Sequence, residues 1–324
     1  MRWIVRPGDG RTVGAILARA GADAQAVGDG RVFVGRRRVR RADEAVCEGD
    51  EVSVAAPRGV AATGARILLH EDDLVAADKP AGIPTIADHA GAAHALVALV
   101  ARAVGVDEAR VHPTSRLDRD VSGVVVFALT PAAAARLKSA RAAGTYERRY
   151  VAIASRAPDP ARGTWDAPIG RARDPRLRAA NGRDAAPAST RYAVVATAAA
   201  AAPRDASGPA PATPAPAPPG PAAALLAAGP VTGRTHQIRV HAAHAGCPLV
   251  GDRDYGGPAR VTLPTGRVLE PRRIALHAAR VVVPGADGRA RTLVSPVPDA
   301  LRDLWTALGG EPGAWEESTS CALP

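Results

Sequence analysis

Hydrophobic and polar positions follow two different periods along this chain, and the change between them predicts its first domain. Val13, Ile16, Leu17 and Ala20 recur at the spacing of one helix face, which predicts a helix within TVGAILARAGADAQAV. Two shorter runs follow, RVFVGRRRV and DEVSVAAP, and their Val-rich alternation is typical of strands. Residues 1–57 are therefore predicted to form a small α+β domain.

A second, larger domain is predicted over residues 65–308, after a short linker. Residues 57–66, PRGVAATGAR, carry no periodic apolar pattern, which indicates the linker. A strand pattern then restarts at Ile67, with a hairpin around residues 71–73. The β-branched run at 124–129 predicts a buried central strand, so Asp118 is expected in a loop at a sheet end, where functional residues tend to lie.

One segment of the larger domain has a composition that argues against packing. Eight prolines lie between Pro203 and Pro221, with almost no large apolar side chain, so the segment cannot bury enough surface to offset its ordering entropy. Residues 198–222 are predicted to be a disordered Pro/Ala-rich insertion between two neighbouring strands, TRYAVVA and ALLAAGPV. The polar residues 309–324 are predicted to be a flexible tail.

The charge of the chain indicates nucleic acid as a partner. The formal net charge is +10 and the pI is about 10.6, mostly from arginine, whose planar fork grips phosphate in a bidentate manner. The run Arg36, Arg37 and Arg38 is predicted to contact RNA phosphates without reading sequence. Two simpler explanations stay open: the base composition of the genome for the charge, and a solvated turn for the run.

Other compositional features bear on location and cofactors. Three scattered cysteines are too few for a disulfide framework or a CxxC zinc site. The N-terminus lacks the apolar core of a signal peptide, and no stretch approaches 18 apolar residues, so a cytoplasmic protein without membrane spans is expected. Neither GxGxxG nor a Walker loop is present, and no cofactor or metal is expected.

The stretch SRLDRDVSGVVVFAL carries the first candidate for chemistry. Asp118 lies between Arg116 and Arg119, and nearby positive charge favours the ionised carboxylate. An ionised carboxylate suits a nucleophile or a base. The alternative is a set of exposed loop ion pairs, each worth less than about 1 kcal/mol.

The stretch TGRTHQIRVHAAHAGCPLVGDRDYGG, residues 232–257, carries the second. Thr235 is predicted to cap a helix that buries Ile238, Ala242 and Ala245 on one face. Arg234, just before the cap, could then reach a carboxylate at the adjacent sheet end.

A competing interpretation of this stretch is a metal site formed by His241, His244 and Cys247. Zinc usually requires four ligands, or three and a water, and Gly246 ends the predicted helix before Cys247 can share its face. A third motif, GTYERRYVAIA, places Tyr146 and Tyr150 at the head of an apolar strand, where a half-buried aromatic is the ordinary interpretation.

Taken together, these motifs resemble those of one enzyme family. DKPAG, SRLDRDVSG, RRYVAIA, GRTHQIRVHAAHAGCPLVGDRDYG and LHAARVVVP occur in the order found in RluA-type RNA pseudouridine synthases. The resemblance implies an α+β pseudouridine synthase fold, with a central, mostly antiparallel mixed sheet flanked by helices and loops. The first 57 residues resemble the S4 RNA-binding domain, which implies an S4-like domain ahead of the catalytic one.

The resemblance also implies roles for individual residues. Asp118 matches the essential aspartate, Arg116 the arginine that wedges into the RNA stack, and Tyr150 the tyrosine that lies against the flipped uracil. Arg234 is similar to the arginine that pairs with the catalytic carboxylate. The chain departs from the family pattern at three positions beside these residues, with Ser115 in place of His, Val121 in place of Thr, and Arg148 in place of Lys.

The function that follows from the resemblance is isomerisation of specific uridines to pseudouridine, with large-subunit ribosomal RNA as the expected substrate. Two alternatives are a tRNA pseudouridine synthase and a non-catalytic RNA-binding factor of ribosome assembly. The expected partner is RNA, without a membrane or a small-molecule cofactor, and a monomer is expected.

Overall fold

The computed structural model describes residues 2–20, 22, 26–28, 32–35, 37–54, 65–87, 95–198, 223–262 and 268–324. Contacts divide the chain into two units, residues 1–63 and residues 64–324. None of the helices in these described ranges has both the length and the apolar composition needed to span a bilayer.

The N-terminal unit is a small sheet with one described helix. Its elements are β1 (Arg2–Ile4), α1 (Val13–Arg19), β2 (Val32–Val34), β3 (Arg37–Arg38) and β4 (Glu51–Val54), and the strand order is β1-β4-β2-β3. The hydroxyl of Thr12 caps α1 by accepting from the Ala15 amide. The predicted helix is confirmed, and Val13, Ile16 and Leu17 of its predicted face lie in the core of this unit. Ala20 follows the last helical residue and is half-buried.

The larger unit is built on one long sheet. The strands of this unit are β5 (Arg66–His70), β6 (Leu74–Lys79), β7 (His112–Pro113), β8 (Ser122–Ala128), β9 (Glu147–Ala154), β10 (Arg162–Trp165), β11 (Ile169–Arg171), β12 (Arg178–Ala180), β13 (Arg183–Ala186), β14 (Thr190–Ala198), β15 (Ala223–Pro230), β16 (Val261–Thr262), β17 (Val268–Leu269), β18 (Leu276–Pro284) and β19 (Ala290–Val294). Among them, β11, β12 and β13 form a separate small sheet, and β16 pairs with β17. Its helices are α2 (Leu96–Val104), α3 (Pro131–Ala142), α4 (Gln237–His244), α5 (Asp299–Ala307) and α6 (Ala314–Ser320).

The long sheet runs in the order β10-β14-β15-β9-β18-β8-β6-β5, and β19 and β7 pair at its side with β18 and β8. The pair β18–β8 is parallel and every other described pair of this sheet is antiparallel. The predicted α+β class, with a mostly antiparallel mixed sheet, is therefore confirmed. The predicted hairpin around residues 71–73 joins β5 to β6.

Both faces of the sheet are covered, because alternate residues of a strand point to opposite sides. Val125 and Phe127 of β8 belong to the core that includes α2 and α4. Val124 and Val126 of the same strand pack against α3 on the other side. Further along that side, α5 and α6 cover the sheet near Val151.

The predicted insertion lies where the sequence placed it. Strands β14 and β15 pair antiparallel from Thr190 opposite Pro230 to Ala198 opposite Ala223, so residues 199–222 connect two neighbouring strands. The predicted disorder concerns residues that, beyond Ala198, lie outside the described ones. The predicted linker lies outside them as well, apart from residues 65 and 66.

The prediction of a flexible tail is wrong for most of residues 309–324. Helix α6 occupies the middle of this segment, and Trp315 is 1% exposed. The Trp315 ring meets the Trp305 ring edge to face, with ring centroids 6.5 Å apart. One large aromatic side chain can bury as much apolar surface as several smaller ones. The burial of Trp315 is therefore enough to dock this otherwise polar segment on the core.

The first residues of β8 approach β18 unusually closely. Gly123 lies opposite Ala278 in the parallel pair and has a φ of +117°. A Cβ atom at Gly123 would lie 2.2 Å from the carbonyl oxygen of Ala278. Only glycine satisfies both conditions, so the SG pair after RLDRDV is required by the sheet that supports the Asp118 loop.

We therefore expect Gly123→Ala to destabilise the protein by about 3 kcal/mol or more, since both backbone strain and a clash with main chain are introduced. Urea unfolding measures the change. The matched control is Gly105→Ala, at a φ of +72° with no atom within 4 Å of the added Cβ, where strain alone should cost about 1–2 kcal/mol. Equal losses for the two variants would contradict the close-approach explanation.

Candidate active site

One cavity brings together the four residues of the larger domain that the sequence singled out. Arg116, Asp118, Tyr150 and Arg234 all line a cavity of about 110 Å³ beside the loop before β8. That volume is several times what one water molecule needs. Their proximity supports a shared site, while their individual roles stay predictions.

The loop that carries Asp118 is held from below by the DKPAG segment. The ammonium of Lys79, which is fully buried, donates to the carbonyls of Arg119 at 2.9 Å, Ile83 at 2.7 Å and Pro80 at 3.0 Å. Burial lowers the pKa of Lys79 to about 7. The hydroxyl of Thr85 donates to the Leu117 carbonyl and accepts from the Leu117 amide. The backbone on both sides of Asp118 is thereby fixed.

The arginine that pairs with Asp118 is Arg239, and the predicted pairing with Arg234 is wrong. Arg239 Nη1 donates to Asp118 Oδ2 at 2.9 Å. Arg234 is exposed and its Nε donates instead to the Pro187 carbonyl at 3.0 Å. The physical reason is that Arg234 precedes α4, whereas Arg239 lies within the helix on its buried side, facing the sheet end.

Arg239 is itself held by two further carboxylates. Its Nε and Nη2 form a two-pronged contact with Asp252, both at 2.7 Å, and Nη2 also donates to Asp254 at 2.9 Å. The side chains of Arg239 and Asp252 are 4% and 1% exposed. Burial opposes the charge on Arg239, but the hydrogen bonds and charges of Asp252 and Asp118 outweigh it and raise its pKa. The guanidinium is therefore a fixed cation beneath Asp118.

The second oxygen of Asp118 faces a histidine. His236 Nε2 lies 3.8 Å from Asp118 Oδ1, and its Nδ1 lies 2.7 Å from the Tyr255 hydroxyl. The Arg178 amide donates to that hydroxyl, which leaves the tyrosine proton for Nδ1 and places the ring proton of a neutral His236 on Nε2. Burial lowers the pKa of His236. His236, Arg239 and Asp252 were not among the site residues predicted from the sequence.

The start of α4 explains why the prediction selected the wrong arginine. The helix begins at Gln237, and its N-cap is His236, with a φ of +59°, so the predicted cap at Thr235 is wrong. The Gln237 side chain accepts from the Thr232 hydroxyl and the Arg234 amide and donates to Ser189 and Thr190. Of the predicted face, Ile238 and Ala242 are buried but Ala245 is exposed.

Tyr150 forms an apolar wall of the cavity. It stands near the start of β9, is 8% exposed, and belongs to the main core. Burial raises its pKa, so the phenol remains protonated at neutral pH. Tyr150 can therefore contact a planar ring without adding charge to the site.

The predicted RNA-contacting arginines lie in different settings. Arg116 is exposed at the rim of the cavity, and no hydrogen bond or ion pair engages its guanidinium among the described residues. In the N-terminal unit, Arg37 pairs with Glu44, and the Arg38 guanidinium lies over the Phe33 ring at 5.7 Å. Arg36 lies outside the described residues.

The competing metal interpretation of His241, His244 and Cys247 finds no support. Both ring nitrogens of His241 are engaged, with the Thr190 hydroxyl and the Ala167 carbonyl, each at 2.9 Å. Cys247 is buried in the apolar core, whereas His244 is exposed. Within the described ranges no three His, Cys, Asp or Glu side chains gather in a metal-binding group.

Comparison with known proteins now identifies the family. Residues 73–244 match the family described as RNA pseudouridylate synthase. An uncharacterised RNA pseudouridine synthase of Mycobacterium bovis is 34% identical over 262 residues, covering 76% of this chain and 74% of its own length. The chain belongs to the RNA pseudouridylate synthase family, and it is an isomerase that acts on RNA.

Two other similarities extend this result. The ribosomal large subunit pseudouridine synthase D of Xanthomonas campestris is 33% identical over 255 residues, covering 75% of this chain and 69% of its own length. The solved structure of human RNA pseudouridylate synthase domain containing 4 has a TM-score of 0.56 at 24% identity, covering 75% of this chain and 92% of the human one. The structural likeness supports the fold assignment.

A buried histidine lies behind the site and connects β8 to β18. Arg273 donates to the Ser122 hydroxyl at 2.7 Å, and that hydroxyl lies 2.7 Å from His277 Nδ1. Since Ser122 accepts from Arg273, its own proton goes to Nδ1, and Nε2–H donates to the Ser295 carbonyl at 3.1 Å. His277 is fully buried, and this burial lowers its pKa from 6.5 to about 4.

This histidine makes the protein sensitive to acid. Because the folded state holds His277 neutral, its contribution to stability is complete above about pH 6.5 and is lost as the pH falls towards 4. We expect His277→Gln to reduce the drop in unfolding free energy between pH 7 and pH 4.5 by about 2–3 kcal/mol. Urea unfolding at both pH values measures it. The exposed His244→Gln is the control, and an unchanged pH dependence in His277→Gln would contradict this explanation.

Proposed function

We propose that this isomerase converts specific uridines of folded RNA to pseudouridine with Asp118 as the essential carboxylate. The observation that supports the proposal most strongly is the position of Asp118. It lines the cavity, its side chain is 27% exposed, and Arg239 holds one of its oxygens at 2.9 Å. The carboxylate is thus accessible to a substrate while its charge and direction are set by a buried cation.

The reaction requires little beyond such a carboxylate. The N1–C1′ bond of the nucleotide breaks, the uracil turns, and C5 becomes joined to C1′; C5 loses its proton and N1 gains one, so there is no net redox change or hydrolysis. An ionised carboxylate can attack the sugar, attack the base or remove a sugar proton. Arg239 serves each of these three steps, because it holds the carboxylate in one orientation throughout.

Tyr150 has the properties needed to shelter a detached base. Water that reached the uracil or the sugar during the exchange would turn isomerisation into hydrolysis. A buried, neutral aromatic side chain excludes that water and offers a flat surface to the ring. Its position in the same cavity as Asp118 supports this role.

Arg116 is suited to replace the base in the RNA stack. A uridine in folded RNA must be extruded before an enzyme can reach C1′, at a cost of a few kcal/mol. A cation that fills the vacated space offsets part of this cost by stacking on neighbouring bases. The guanidinium of Arg116 supports this role, because it is exposed two residues before Asp118 and has no fixed partner among the described residues.

The N-terminal unit is proposed to be an S4-like RNA-binding domain and the enzyme to be of the RluA type. The helix, the small antiparallel sheet and the exposed arginines of β3 support the first proposal. The paired motifs RLDRDVSG and GRTHQIR support the second. Large-subunit ribosomal RNA is the proposed substrate, supported by relatives that carry that name, and tRNA is the alternative.

The decisive test replaces Asp118 with Asn, which keeps its shape and removes its charge. Chemical mapping of pseudouridine in cellular RNA, in a deletion strain carrying either form, is expected to show loss of modification at one or a few sites. In vitro the rate should fall about 1,000-fold or more. Asp120→Asn removes a neighbouring exposed carboxylate as the control. Unchanged modification by Asp118→Asn would refute the assignment.

A further inference from the structure

Two arginines to which no role has been assigned above converge on the wall of the catalytic cavity. Arg141, from the last turn of α3, and Arg148, from β9, both line it. Their Nη1 atoms meet over Gly233, where an added Cβ atom would lie 3.6 Å from Nη1 of Arg148 and 3.7 Å from Nη1 of Arg141. These two residues are called the arginine pair below.

Each member of the arginine pair is anchored through its other terminal nitrogen. Arg141 Nη2 donates to the Thr114 carbonyl at 2.8 Å, and its guanidinium lies 4.7 Å from the centre of the Tyr146 ring. Arg148 Nη2 donates to the carbonyls of Pro230 at 2.8 Å and Thr232 at 2.7 Å. One side of each planar fork is thus used for positioning, which leaves Nη1 directed over Gly233.

The arginine pair has no negative partner within the described part of the chain. No Asp or Glu oxygen there lies within 4 Å of either guanidinium, and the Nε atoms of both are buried without an acceptor. Burial lowers the pKa of Arg148, and the charge of Arg141 adds to the effect. Two close, partly buried cations without an anion are unfavourable in the free protein.

The positive surface continues beyond the arginine pair. An adjoining cavity of about 310 Å³ is lined by both of them and by Arg149, Arg191 and Arg280, and Glu147 is the single acidic residue of its lining. The five arginines and one glutamate carry a formal net charge of +4. A chain of phosphates that leaves the catalytic cavity on this side would meet cations throughout.

We propose that the arginine pair binds one phosphodiester group of the RNA strand next to the target uridine, and that the adjoining cavity receives the strand beyond it. A phosphodiester has two free oxygens, so each Nη1 can donate to one of them. The inference rests on the proposed function for the identity of the anion. It also defines the path of the RNA strand, because the RNA backbone must pass over Gly233 as it leaves Asp118.

The first test measures binding rather than catalysis, so it is independent of whether Asp118 has the proposed role. The probe is a fluorescein-labelled RNA hairpin with one uridine in its loop, and anisotropy gives the Kd of the full chain at several salt concentrations. Arg141→Gln is expected to weaken binding about tenfold. It should also make the slope of log affinity against log salt shallower by about 0.7–0.9, the value for one lost phosphate contact.

Two further variants separate a phosphate contact from a general effect. Arg289→Gln removes the same charge from an exposed turn at the opposite end of β18, and it should leave the slope unchanged. Arg141→Lys keeps the charge but not the fork, so it should retain the slope and lose part of the affinity. Equal slopes for the wild type and Arg141→Gln would overturn the proposal.

The second test identifies the phosphate. A methylphosphonate removes the charge from one linkage at a time on either side of the uridine. At one of these linkages it should weaken wild-type binding and cause no further loss in Arg141→Gln, because the contact is already gone. Competition by inorganic phosphate at millimolar concentration would instead indicate a free-anion site and contradict the proposal. The proposal would also be contradicted if every methylphosphonate weakened RNA binding by the wild type and by Arg141→Gln to the same extent. Retained pseudouridine formation by Asp118→Asn would refute the proposed function without altering these binding results.

Discussion

The ion pair between Arg239 and Asp118 is the interaction on which the rest of the site depends. Arg239 is almost fully buried, and Asp252 satisfies its other edge, so the guanidinium cannot move to follow a different partner. A carboxylate attached to such a cation keeps one orientation while a substrate enters and leaves. Removing Arg239 would also leave the buried carboxylate of Asp252 without the cation that it pairs with, which is strongly unfavourable. Charge, orientation and stability of the site are therefore coupled through one guanidinium.

The fold contributes by fixing the backbone on both sides of this ion pair. The Asp118 loop rests on the carbonyl contacts of Lys79 and on Thr85, and it leads into β8 at a glycine that touches β18 directly. Helix α4 carries Arg239 to the same end of the sheet from far along the chain. The long insertion between β14 and β15 leaves this arrangement intact, because it connects strands that pair with each other in any case. Loop length there adds little to the closure cost.

Local sequence was sufficient to predict α1, the buried strand β8 and the region of the site, but not which arginine pairs with Asp118. The β-branched run of β8 and the position of Asp118 before it followed from composition and periodicity. The choice between Arg234 and Arg239 did not, because it depends on where α4 begins and on Asp252, 13 residues further on. A signal was present in the two aspartates of GDRDYG, because one of them, Asp252, is buried in the fold and a buried carboxylate needs a cation nearby. The docking of Trp315 was not predicted for a related reason. The local sequence of a polar segment does not show that its one aromatic side chain packs against Trp305, which lies in a different helix.

Arg239 holds Asp118, and we propose that Arg239, rather than Arg234, sets the reactivity of this carboxylate. The measurement that tests it most directly is the rate of pseudouridine formation by Arg239→Lys compared with Arg234→Lys. A lysine at position 239 lacks the planar fork that grips Asp252 with Nε and Nη2 while Nη1 holds Asp118, so we expect a loss of about 100-fold or more in kcat/KM. Arg234→Lys should lose far less. The account would be contradicted by the reverse order, or by an Arg239→Lys enzyme that works at the wild-type rate.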